Sequence, residues 1–146
     1  MQAHDRVRDN TSSSTNIEFD REMLARIQRL SEGGPSAAGE HITRLEKEWD
    51  IERALETNAS IFAAAGLTLG VLHSQWWLVL PAIVLFFLFQ HAVQGWCPPL
   101  PLLRRIGFRT RKEIDQEKFA LKALRGDFSG IGPDTSARSA LRAAAK

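Results

Sequence analysis

The sequence predicts an all-α membrane protein: a two-helix transmembrane hairpin with cytoplasmic amphipathic helices before and after it. Three observations carry this expectation. Residues 57–103 contain no Asp, Glu, Lys or Arg, so every such side chain lies outside that block. The stretch LHSQWW, residues 72–77, divides the block into two apolar runs. The segments on either side mix charged and apolar residues at helical spacing. A helix in water needs a wet face, whereas a charge at the bilayer centre costs about 2.5–3.5 kcal/mol. A membrane therefore accounts for so long a stretch without charge.

Residues 1–16 are polar and rich in Ser, Thr and Asn, a composition that predicts disorder. They lack the apolar core of a signal peptide, so the apolar block itself is expected to act as the membrane signal. Residues 17–56 are expected to form cytoplasmic or interfacial helices. Phe19, Met23, Ile27 and Leu30 recur at helical spacing between Arg21, Glu22 and Arg26. Residues 31–40 read as a linker, because Gly33, Gly34 and Pro35 interrupt the pattern. A second helix is expected from near Glu40. Its narrow stripe of Ile42, Leu45 and Trp49 suits a membrane surface or a partner chain.

The hairpin is placed at residues 57–97, with spans 57–73 and 76–97. About 20 helical residues cross about 30 Å of hydrocarbon. The second span meets that length. The purely apolar part of the first falls short, so a re-entrant hairpin stands beside a full crossing. Trp76 and Trp77 at the turn and Trp96 at the far end suit the headgroup zone as interface anchors. Pro81 lies in the first turns of the second span, where its missing N–H costs least. Pro98, Pro99 and Pro101 are expected to stop that helix just past Cys97.

Basic residues set the orientation. The connecting turn has none, whereas Arg44, Lys47 and Arg53 precede the hairpin and Arg104, Arg105, Arg109, Arg111 and Lys112 follow it. The positive-inside rule puts both termini in the cytoplasm, and the second cluster is placed to meet anionic headgroups. Residues 98–127 read as a proline turn and a cytoplasmic helix. Thr110 and Glu113 form a capping box, and the helix should run from Arg111 to about Arg125 and stop at Gly126. Residues 128–146 read as a flexible tail with at most a short helix from Ser136.

Two constellations stand out within the apolar block. Ala59, Ala63, Gly66 and Gly70 form a small-residue ridge that would let a second helix approach closely, either in the same chain or in a second copy. Gln90, Gln94 and Cys97 share one face by i, i+4, i+7 spacing, with His91 beside it. That face reads either as interhelical hydrogen bonding with a small buried Cys97, or as a polar pocket leading to a thiol. Cys97 is the only cysteine, so no intrachain disulfide forms, and it is at most a weak catalytic candidate. His73 and His91 are too far apart to share a metal, and no metal or cofactor is expected. A net charge of +2, without aromatics interleaved among the basic residues, argues against nucleic acid.

The run GWCPPLPLLRRIGFRT, residues 95–110, together with the small-residue first span, resembles the YgaP-like inner-membrane domain family. Gly95, Cys97, Pro98, Gly107 and Thr110 carry the resemblance, which covers residues 49–110. It implies a small bacterial two-span hairpin of the kind found alone or fused behind a rhodanese domain. The charged flanks, Pro99 and Pro101 depart from that pattern, and no rhodanese-like α/β region is present. The resemblance therefore implies topology in the bacterial inner membrane and no inherited sulfur transfer. The leading expectation is a non-enzymatic membrane anchor or interaction module that self-associates. The partners expected are the lipid bilayer, a second copy, and a separate sulfurtransferase or other membrane protein. The alternatives are a sulfur or redox relay through Cys97 and a lipid-binding membrane-surface protein.

Overall fold

The structure, a computed structural model, describes residues 5–132 and 134–144. The remaining residues of the expected disordered N-terminus and flexible tail lie outside that range. Eight α-helices and one 3-10 turn form, with no strand among the described residues. They are α1 (Arg6–Asp9), α2 (Ser13–Glu32), α3 (Gly34–Lys47), α4 (Ile51–Leu72), α5 (Val79–Gln94), α6 (Leu100–Arg105), α7 (Arg111–Arg125) and α8 (Ala137–Ala144), with the 3-10 turn at Gln75–Leu78 between α4 and α5. The chain forms two compact units rather than one. The first comprises residues 5–17 with Trp49–Lys112, the second Glu18–Glu48 with residues 113–144.

In the first unit, α4 begins where Asp50 accepts a hydrogen bond from the Arg53 amide at 2.8 Å, a side-chain N-cap. Its 22 residues pack along α5 and the 3-10 turn. The small-residue ridge makes that contact. Gly66 and Gly70 are both buried. A Cβ at Gly66 would lie 2.5 Å from Pro81 Cδ and 3.2 Å from the Trp77 carbonyl oxygen; one at Gly70 would lie 2.5 Å from Leu78 Cδ2. Ala63 and Ala59, about one and two turns before Gly66, are half-buried. The two glycines thus serve a contact within the chain. Both apolar helices are long enough to cross a membrane, yet only 17% and 6% of their apolar windows are buried.

In the second unit the stripes read from sequence pack on one another. Ile42 and Leu45 of α3 meet Ile114 and Leu121 of α7, with Ile27 and Leu30 of α2 against them. The chain itself covers Ile42 and Leu45, whereas Trp49, the third residue of that stripe, lies beyond α3 and is 45% exposed. Glu117 of α7, with no exposed surface, lies among them. It accepts from Arg26 Nε and Nη2, each at 3.1 Å, and pairs with His41 Nε2 at 2.8 Å. A buried carboxylate needs such partners, because desolvation otherwise expels the charge.

Three boundaries differ from expectation. Residues 5–16 are structured: α1 forms there, α2 starts at Ser13, and Val7 is 3% exposed in the core. Average composition conceals one well-placed valine and a good cap. The linker expected at 31–40 shrinks to a kink at Gly33 and Gly34. Gly34 takes φ 82°, and Pro35 falls in the first turn of α3, where a missing N–H breaks no bond. The second apolar helix ends at Gln94, before the prolines, because Gly95 adopts the left-handed cap at φ 76°. Pro99 and Pro101 instead start α6.

Two outcomes are expected. Gly66→Ala should cost about 1–3 kcal/mol by overpacking against the rigid Pro81 ring, and Gly70→Ala less, because the Leu78 side chain can swing aside. SDS-titrated unfolding in micelles ranks them, and the reverse order would contradict the contact. Glu117→Ala should destabilise the second unit by about 3 kcal/mol by stranding Arg26 and His41. Loss of amide protection around Leu45 and Leu121 in hydrogen exchange reads this out.

Candidate functional site

The site is built at the end of α5, where four backbone carbonyls of any helix lose their partners. Gly95 N–H satisfies the His91 carbonyl at 2.7 Å. α1 satisfies the next ones. Arg6 Nη1 donates to the Ala92 carbonyl and, at 3.4 Å, to that of Val93; Asn10 Nδ2 donates to that of Gln94 at 3.0 Å. A guanidinium at a helix C-terminus also opposes the negative end of the macrodipole. Only glycine fits at position 95, since a Cβ there would lie 2.8 Å from the Arg6 carbonyl oxygen.

Asp5 holds α1 in place. Its Oδ1 accepts from the Val7 and Arg8 amides at 3.1 and 3.2 Å, and its Oδ2 accepts from Thr110 Oγ1 at 2.7 Å. The Ile51 amide donates to the Arg109 carbonyl at 2.9 Å, tying the start of α4 to the same strip of chain. Beneath these bonds, Val7, Ile51, Leu55, Cys97, Leu100 and Leu103 form one apolar cluster, with Trp96 and Phe108 packed against it.

The residues singled out in the sequence fall as follows. Cys97 lies inside that cluster at 3% exposure, three residues beyond the end of α5, so it does not continue a helical face with Gln90 and Gln94. Those two glutamines meet each other at 3.5 Å along α5 rather than bonding across helices. Arg104, placed by sequence among the headgroup-facing basics, is 2% exposed. Its guanidinium donates to the Phe108 carbonyl and to Asn16 Oδ1, each at 3.2 Å. Arg109 is buried too, whereas Arg105, Arg111 and Lys112 are exposed. Trp76 and Trp77 are exposed at the turn between the apolar helices, and Trp96 is half-buried.

Two cavities meet at His91. One, about 560 Å³, is walled by Asp5, Arg6, Glu52, Glu56, Arg111 and Lys112 among others, with Leu88 and His91 on its inner side. The other, about 390 Å³, is an almost wholly apolar groove that includes Leu55, Ala59, Phe62, Phe87 and Leu102; it shares Leu88 and His91 with the first. Glu52 Oε2 and His91 Nδ1 are buried atoms without a hydrogen-bond partner. Burial pushes the Glu52 carboxyl up from its ordinary value of 4.5, and the neighbouring Asp50 and Asp5 add to the shift. Asp5, Arg6 and Glu52 were not singled out in the sequence. Asp5 is an N-cap residue type, but nothing local says that the cap will be joined by Thr110. Chemically, the arrangement offers recognition: charges of both signs beside an apolar groove, whose wall also includes Cys97, 3% exposed.

No protein-family model, curated protein or solved structure matches this chain.

Glu52→Gln should stabilise the protein at neutral pH, because it removes a charge that folding desolvates. The raised carboxyl favours the protonated folded state, so its stabilising effect is complete below pH 4.5 and is lost as pH rises through the folded value. Wild type and variant should therefore melt alike at low pH and diverge above 4.5, the variant higher. Parallel melting curves across that range would rule out the desolvated carboxylate.

Proposed function

We propose that this protein is a non-enzymatic membrane anchor or interaction module, a two-span helical hairpin of the bacterial inner membrane with both termini in the cytoplasm. The observation that carries the reading is the apolar surface of α4 and α5. Val71 is 82% exposed and Phe89 69%, with Ile61, Phe62, Leu85 and Phe86 also exposed. In water a contiguous patch of that kind marks an interaction or membrane surface, and core helices of a soluble protein bury theirs. The charge-free stretch, the exposed tryptophans at the turn and the resemblance to YgaP-like domains support the same reading. Because Gly66 and Gly70 face Pro81 and Leu78, self-association would use the outward face of α5 around Phe86, Phe89 and Val93. Cys97 exposes only 3% of its surface, at the wall of the apolar groove, which disfavours a sulfur relay. Ile42, Leu45, Ile114 and Leu121 pack on one another, which disfavours lipid binding through those side chains.

Single cysteines at Ser74 and at Ser129, in a Cys97→Ala background, are expected to react with an impermeant maleimide from opposite faces of the membrane, Ser129 only after the cytoplasmic side is opened. Reaction of both from the cytoplasmic side would overturn the crossing in favour of a re-entrant hairpin. Release of the protein by alkaline carbonate would overturn membrane integration altogether.

A further inference from the structure

The charged cavity and the apolar groove form one amphiphilic site, and we infer that it binds a single phospholipid with a primary-ammonium headgroup, of the phosphatidylethanolamine type. This rests on the membrane reading above and names the ligand of that site. Leu88 and His91 line both cavities, so the two adjoin, and a ligand that spans them passes over these two side chains. One part is apolar and runs between α4 and α5 past Ala59, Phe62 and Phe87, which suits an acyl chain. The other part stands where the charge-free stretch meets the first carboxylates, Glu52 and Glu56, at the level a headgroup would occupy.

Charge complementarity selects the headgroup. A purely anionic head would bring its charge up against Glu52, Glu56 and Asp5. A zwitterion meets both signs: its phosphate faces Lys112 and Arg111, whose Nη1 also lies 4.0 Å from Asp50 Oδ2, and its ammonium faces the carboxylates. Glu52 Oε2 is buried and lacks a donor, and a primary ammonium supplies three. A quaternary choline head carries the same charge but donates no hydrogen bond, so it leaves that oxygen unsatisfied. Arg6 is committed to the α5 carbonyls and serves as wall rather than as phosphate ligand.

The test uses the full chain in nanodiscs of phosphatidylcholine carrying equal minor fractions of phosphatidylethanolamine and phosphatidylglycerol. Lipids retained after transfer to micelles are counted by native mass spectrometry. Wild type should retain one phosphatidylethanolamine roughly tenfold over either other lipid, the size expected for one charge-assisted hydrogen bond. Glu52→Gln should abolish that preference, and Ala59→Phe, which fills the groove, should lower retention of all three lipids. Equal retention of the three headgroups by wild type, or a preference for phosphatidylglycerol, overturns the inference even if a variant misfolds. Retention unchanged in a helical Ala59→Phe protein overturns the placement of the chain. Carbonate extraction of the same wild-type sample separates the two failures: a released protein sinks the membrane reading, whereas an integrated protein without headgroup preference sinks only the lipid site.

Discussion

The Asp5 carboxylate is the contact on which the first unit depends. One side chain ends the N-terminal segment, starts α1 and takes the Thr110 hydroxyl from the far side of the apolar block. Once α1 is anchored, Arg6 and Asn10 reach the last carbonyls of α5, and Val7 fills the cluster beneath Ile51 and Leu100. An apolar helix that stops abruptly leaves polar backbone ends in a poorly hydrated place. Here the last carbonyls of α5 are satisfied by side chains from another segment.

The same arrangement sorts the basic residues into two kinds. Arg104 and Arg109 are taken into the fold, where Arg104 bridges the Phe108 carbonyl and Asn16 and so holds the proline turn against the start of α2. Arg105, Arg111 and Lys112 keep their charge at the surface. A count of positive charges treats all five alike. Burial separates Arg104 and Arg109, which build the turn, from the three whose side chains are exposed, and it makes Arg104 a structural residue whose loss would remove a donor from Asn16 Oδ1.

The polar residues near the end of α5 divide in a similar way. The two glutamines satisfy each other weakly, and Cys97 behaves as a small apolar residue in a tight cluster. His91 Nδ1 and Glu52 Oε2 remain as buried polar atoms without partners, in the wall of the charged cavity that adjoins the apolar groove. Unsatisfied polar atoms are costly, which is why such a place is a better candidate for recognition than the thiol.

The sequence by itself determined the class of structure. A charge-free stretch, its interruption at LHSQWW and the 3.6-residue periodicity of the flanks are local properties, and helices α4, α5 and α7 follow from them, with the stop at Gly126 where expected. The small-residue ridge was legible too, because glycine and alanine spacing alone defines it; its partner was not, because a second copy and α5 offer the same kind of surface. Only the tertiary structure decided that Pro81 and Leu78 fill it. The N-terminal segment was misjudged for the same reason. Its order rests on bonds to residues far along the chain, such as Asp5 to Thr110, 105 positions away, and Asn10 to Gln94, 84 positions away. No local window contains both ends of such a bond, and the charged cavity with Glu52 and His91 in its wall exists only once those distant segments have met.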